Sequence, residues 1–220
     1  YIEALGGSEA VAGMAVALFC VVSVVCRPFI GWMLDNGKRK MILAVGLLGM
    51  LLMPLGYLFL HTLVLAFVCR MVHGAALAFS NTSTATIATD SVPRSRFAEG
   101  MGIFGLATAV APAIGLALME KCGFSVLFLF GSLSIALALV LFFLLKAPNI
   151  AVEKKPLSVK GLFDKNAVPA SLTAVVFMFT YGALENFAAK FAAEKGLPSG
   201  GLFFVIMAVT VLIMRMTAGK

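Results

Sequence analysis

Charge is scarce in this chain. Only 12% of its 220 residues are Asp, Glu, Lys or Arg, about half the share of roughly 25% that soluble domains carry. That composition excludes a secreted, fibrous or disordered protein. Histidine is scarcer still, with His61 and His73 the only two, and no metal pair of the HExxH kind is visible. Cys20, Cys26, Cys69 and Cys122 show no CxxC spacing and lie mostly in apolar runs. Neither a disulfide framework nor a zinc site is supported, and the four read as reduced, small apolar fillers. The roughly ten-residue alternation of a membrane barrel strand is also absent. No basic segment leads into a short apolar stretch, so no signal peptide is expected. The chain opens on Tyr1 rather than Met and stops at Lys220 directly after an apolar run, and it reads as a piece of a longer protein.

What is present is oily: 61% of residues are hydrophobic and the mean hydropathy is +1.05. Runs with almost no charge recur seven times, over 10–34, 41–60, 62–89, 100–119, 124–145, 167–190 and 196–220. Each is long enough to cross the hydrocarbon as a helix of about 20 residues. The expected fold class is therefore an all-α polytopic membrane protein of about seven transmembrane helices. Asp35 to Lys40, His61 with Thr62, Asp90 to Glu99 and Glu120 to Gly123 are expected as tight hairpins. Lys146 to Asn166, with Pro148, Pro156 and five lysines, is different, because it has no apolar run long enough to cross. It divides the chain into a first helical bundle at 1–146, a central loop at 147–166 and the start of a second bundle at 167–220.

The formal charge of +7 is mostly a topology signal. Loops after the first, third and fifth runs hold ten basic residues, from Lys38, Arg39 and Lys40 through Arg94 and Arg96 to the five lysines of the long connection, against Lys121, Lys190 and Lys195 on the other side. The basic side is expected in the cytoplasm and Tyr1 outside, and no nucleic-acid partner is implied. Gly13, Arg27 and Gly31 recur 188 positions later as Gly201, Arg215 and Gly219. Such a weak repeat fits the duplicated bundles of secondary transporters.

Ionisable groups at bilayer depth cost several kcal/mol and normally face a bundle interior or a wet cavity. Arg27, Arg70, His73, Glu185 and Arg215 are of this kind. Arg70, His73, Gly74, Leu77, Asn81 and Thr84 follow steps of three or four on one helix face. That stripe suits a cavity lining; the other reading is a snorkelling Arg70 and a packing histidine. Glu185, one turn after Tyr181, suits a carboxyl that exchanges protons, or else a group at a wet mouth. In the fourth run Gly102, Gly105, Pro112 and Gly115 belong to a small-residue face that serves as a packing seam or hinge.

These motifs resemble the major facilitator superfamily. Gly31-Trp-Met-Leu-Asp35-Asn-Gly37-Lys38-Arg39-Lys40 is similar to that family's hairpin between its second and third helices, with Gly37 one position early. Arg70-Met-Val-His-Gly74 is similar to its fourth-helix arginine motif, Asp90-Ser-Val-Pro93-Arg94-Ser-Arg96 with Glu99-Gly100 to the following loop, and the AVAPAIG segment to the fifth-helix motif of its antiporter branch. The resemblance covers the chain as family helices two to eight, an incomplete bundle. It implies a cytoplasmic gate of Gly31, Asp35, Lys38, Arg39, Asp90 and Arg94, with Asp35 favoured beside a helix N-terminus and Asp90 within reach of Lys38 or Arg39. Arg70, His73 and Asn81 are expected to line the substrate cavity, with Glu185 as proton site.

The function implied is secondary transport in the cell membrane, as proton-coupled efflux of small organic molecules by alternating access. The partners are the lipid bilayer, a small-molecule substrate and protons. No cofactor and no metal are expected. A proton-coupled importer of sugars or metabolites on the same fold is the alternative. A polytopic membrane enzyme would need converging carboxylates, a metal pair or a serine with its base, and none of these is visible.

Overall fold

A computed structural model of the chain describes residues 2–59, 61–144, 156–158, 165–196 and 200–218; at some helical positions, Glu185 and Arg215 among them, it describes the backbone alone. Six helices account for most of this: α1 (Glu9–Asp35), α2 (Arg39–Phe59), α3 (Leu63–Ser91), α4 (Phe97–Leu144), α5 (Val168–Glu194) and α6 (Gly200–Ala218). No strand occurs among the described residues.

Local chemistry sets the ends. Ser8 caps α1, its Oγ accepting from the Val11 amide at 3.3 Å, and Glu9 stands in the first turn where the helix dipole favours it. At the other end Asn36 donates to the Trp32 carbonyl at 2.9 Å. Gly37 then turns left-handed at φ 84, a conformation only glycine reaches without strain. Its amide returns to the Leu34 carbonyl and that of Lys38 to Met33, which closes the hairpin into α2.

By length and composition, five segments are apolar enough to cross a membrane: Glu9–Asp35, Arg39–Phe59, Leu63–Ser91, Lys121–Leu144 and Lys165–Leu184. The other two apolar runs fall in the first arm of α4 and in α6, where several side chains lie outside the described residues. At Glu120 to Gly123, where a tight hairpin is expected, α4 leaves helical geometry at Gly123, with φ 79 and ψ 177. The positive φ falls at the one position without a Cβ to clash. Most of the connection at 147–166 lies outside the described residues.

The chain divides into two compact units, Tyr1–Ser91 with Cys122–Leu162 and Val92–Lys121 with Phe163–Lys220. In the first, α3 packs along both α1 and α2. The contacts are close because small residues allow it. A Cβ on Gly46 would collide with the backbone of Phe79 and Ser80, one on Gly49 with Ala76, and one on Gly74 with the Phe19 carbonyl. Apolar clusters fill the rest: Ile30, Leu34, Ile42 and Ala78 form one. Leu43, Leu47 and Ile87 form another, closed by Ile135, Ala138, Leu139 and Phe142 of the second arm of α4. The second unit holds the first arm of α4 with α5 and α6, and α5 packs on α6. Outward faces are oily, with Phe59 at 78%, Phe143 at 79% and Phe179 at 82% exposure. An apolar exterior of that extent requires lipid as its solvent.

Candidate functional site

The first unit carries two polar clusters, one near each end of α3. The first is built on Arg70, eight residues into α3. Its guanidinium lies over the ring of Tyr57 on α2, 5.3 Å from the centroid. The Tyr57 hydroxyl shares a 3.3 Å hydrogen bond with His73 Nδ1, one turn further along α3. Phe19 of α1 meets the His73 ring edge-on at 5.5 Å, and Phe128 of the second arm of α4 packs on Tyr57 at 5.4 Å. Arg70 Nε is buried without a hydrogen-bond partner, and Arg70 forms no ion pair among the described residues. Beside it a cavity of about 210 Å³ is lined by Ile2, Glu3, Ala12, Ala15, Val16 and Arg70.

An arginine costs roughly 2.5–3.5 kcal/mol at the centre of a membrane helix on insertion scales, and Arg70 stands eight residues into the 29 of α3. The face of Tyr57 offsets part of that cost. The sequence stripe of polar residues contains Arg70 and His73 but not Tyr57, which sits in an apolar run of α2. Antiparallel packing brings it in: the Gly46–Ser80 and Gly49–Ala76 approaches fix a register in which Tyr57 falls opposite Arg70. Asn81, further along the stripe, is exposed. Thr84 returns its hydroxyl to the Ser80 carbonyl at 2.7 Å, as Ser83 does to Ser80 at 3.2 Å. Much of the hydroxyl chemistry on α3 is therefore spent on its own backbone.

The second cluster lies where α2 begins and α3 ends. Arg39 Nε donates to Asp90 Oδ2 at 2.7 Å, with the two side chains only 14% and 20% exposed. Both residues belong to the first unit, so this pair ties α2 to α3 within that unit. Asp35 is the exposed last residue of α1, and Lys38 is exposed in the hairpin. Gly31 is open, with nothing near a notional Cβ. Arg94 is exposed in a short 3-10 turn, Arg94–Arg96. In the second unit Arg96 grips Glu99 with two bonds of 2.8 and 2.6 Å. The hydrogen bonds from Arg96, and then its charge, hold the Glu99 carboxyl below its usual 4.5.

Other candidates are scattered. Arg27 is exposed on α1 beside Pro28. Gly102, Gly105 and Gly115 lie in the first arm of α4, while the Pro112 side chain falls outside the described residues, as do those of Glu185 and Arg215. No group of three or more His, Cys, Asp or Glu suited to a metal occurs among the described residues. A family model described as Major Facilitator Superfamily matches residues 1–220. No curated protein and no solved structure matches the chain.

Proposed function

The chain belongs to the major facilitator superfamily, a family of secondary transporters in multi-pass membrane proteins, and from that premise we infer that it serves proton-coupled efflux of small organic molecules from the cell by alternating access. The observation that carries this reading is the Arg70–Tyr57–His73 set, a charged and hydrogen-bonded group inside helices whose exterior is apolar. Charge is retained at that depth where a solute or ion has to be met. Arg70, His73 and Asn81 line the path, and Glu185 exchanges the proton. Asp35, Lys38, Arg39, Asp90 and Arg94 form the cytoplasmic gate, in which the Arg39–Asp90 pair holds the hairpin in place for the exposed Asp35 and Lys38 to engage and release.

Inside-out vesicles with an acidified lumen provide the test. Adding a panel of small organic molecules to the medium is expected to alkalinise the lumen as solute enters and protons leave. Arg70→Ala is expected to abolish this response with insertion unchanged. Lumen pH that no solute moves, together with proton-driven uptake by whole cells, would establish import instead.

A further inference from the structure

Met53 and Tyr57, one turn apart in the last turns of α2, face Cys69 and His73, one turn apart near the start of α3. All four belong to the first unit. Cys69 Sγ lies 3.6 Å from Met53 Sδ. The Tyr57 hydroxyl shares its 3.3 Å bond with His73 Nδ1 and also hydrogen-bonds the Cys69 thiol, so thiol and imidazole converge on one oxygen. Cys69 and Tyr57 are deeply buried, at 7% and 3% exposure.

Thioether, thiol and imidazole together are a soft donor set, of the kind that selects Cu(I). The thioether is why the set escapes a search confined to His, Cys, Asp and Glu. Two sulfurs held on one ion by bonds of about 2.3 Å at a tetrahedral angle stand roughly 3.8 Å apart. Met53 and Cys69 are therefore already near ligand spacing. Cys69 and His73 are four residues apart on one helix, which puts their Cβ atoms about 5–6 Å from each other and both side chains within reach of a common ion. Charge then selects the valence. Arg70 is close enough to Cys69 for its charge to act there. A monovalent ion on a single thiolate is neutral overall, whereas a divalent ion leaves a positive charge beside the guanidinium.

We propose that Met53, Cys69 and His73 bind one soft monovalent cation of the Cu(I) class, which joins α2 to α3. On binding, Cys69 releases its proton to solvent and ligates as the thiolate. The ion replaces the Tyr57 hydroxyl as the link between sulfur and imidazole, and no electron is transferred. The test is titration of the full chain in detergent with Ag(I), as its nitrate, after Cys20, Cys26 and Cys122 have been replaced by alanine. One Ag(I) per chain is expected, with a thermal unfolding midpoint that rises with free Ag(I). Changes outside the ligand shell of other metal sites already cost about 10–100-fold in affinity, so Met53→Leu and His73→Gln are each expected to weaken Ag(I) binding by at least about tenfold. Zn(II) is expected to bind at least about tenfold more weakly than Ag(I). Unchanged Ag(I) affinity in either variant overturns the proposal, because the thiol would then be acting without that ligand. So does Zn(II) binding that equals Ag(I) binding, or the absence of saturable Ag(I) binding. Met53→Leu nearly conserves volume and carries the test even if His73→Gln fails to fold. Binding needs no gradient, so its outcome is independent of the efflux reading.

Discussion

Arg70 has an aromatic face for a partner where a carboxylate is the commoner choice, and the consequence can be measured at Tyr57. Tyr57→Phe keeps the face and loses the hydroxyl, with its bond to His73, so it is expected to lower unfolding stability in detergent by about 1 kcal/mol. Tyr57→Leu removes both and leaves the cation on an aliphatic wall; the expected loss is about 2–4 kcal/mol. Equal losses would show that the ring is not what holds Arg70. The sequence displayed half of this site. Arg70 and His73 share a face by simple spacing, whereas Tyr57 is one more apolar-run residue until a second helix packs at a given register. Glu99 offers a separate test outside the membrane. Its folded titration point is depressed, so the pairing contributes fully above the ordinary value of 4.5 and is lost as the pH falls through the lowered one. Arg96→Ala is expected to return the Glu99 midpoint to about that ordinary value in a carboxyl NMR titration. Thermal stability should barely move, because both side chains are well exposed.

At the scale of elements, α3 is the helix on which the first unit depends, and glycine is the reason it can be approached from two sides. Gly46 of α2 abuts the backbone of α3, and Gly74 of α3 abuts the Phe19 carbonyl of α1. Neither neighbour is a flexible side-chain end that could swing away. Gly46→Ala and Gly74→Ala are each expected to destabilise the protein by about 1–3 kcal/mol, the usual cost of overpacking. Gly13→Ala is the control: nothing lies near its notional Cβ, and helix propensity then favours alanine by about 0.5–1 kcal/mol. Opposite signs in thermal unfolding would confirm that approach distance, and not glycine content, is what matters. The helices themselves were legible, since runs of about 20 apolar residues allow little else in a bilayer. Which glycines make contact was not, because Gly13 and Gly46 look alike in one dimension. The break at Gly123 was legible as punctuation between two apolar runs.

At the scale of the whole molecule, we propose that charge, not packing, decides the orientation. An anionic cytoplasmic leaflet attracts each nearby Lys or Arg by about 1 kcal/mol, and ten basic residues in the alternate loops outweigh three on the other side. This bias is visible in the sequence without any structure, and the hairpin it assigns to the cytoplasm is the one that carries Lys38 and the Arg39–Asp90 pair. The consequence can be read with a membrane-impermeant thiol reagent once Cys20, Cys26, Cys69 and Cys122 have been replaced. Lys38→Cys is expected to stay unlabelled in intact cells and to react in inside-out vesicles, and His61→Cys to behave in the opposite way. Because the bias is spread over three loops, no single loop holds it. Replacing Lys38, Arg39 and Lys40 together by glutamine leaves seven basic residues facing three, so the labelling pattern of His61→Cys should persist in that background. Reversal of the pattern by the three glutamines alone would mean that the first hairpin sets the orientation by itself, and the lysines of the long connection would then need another explanation.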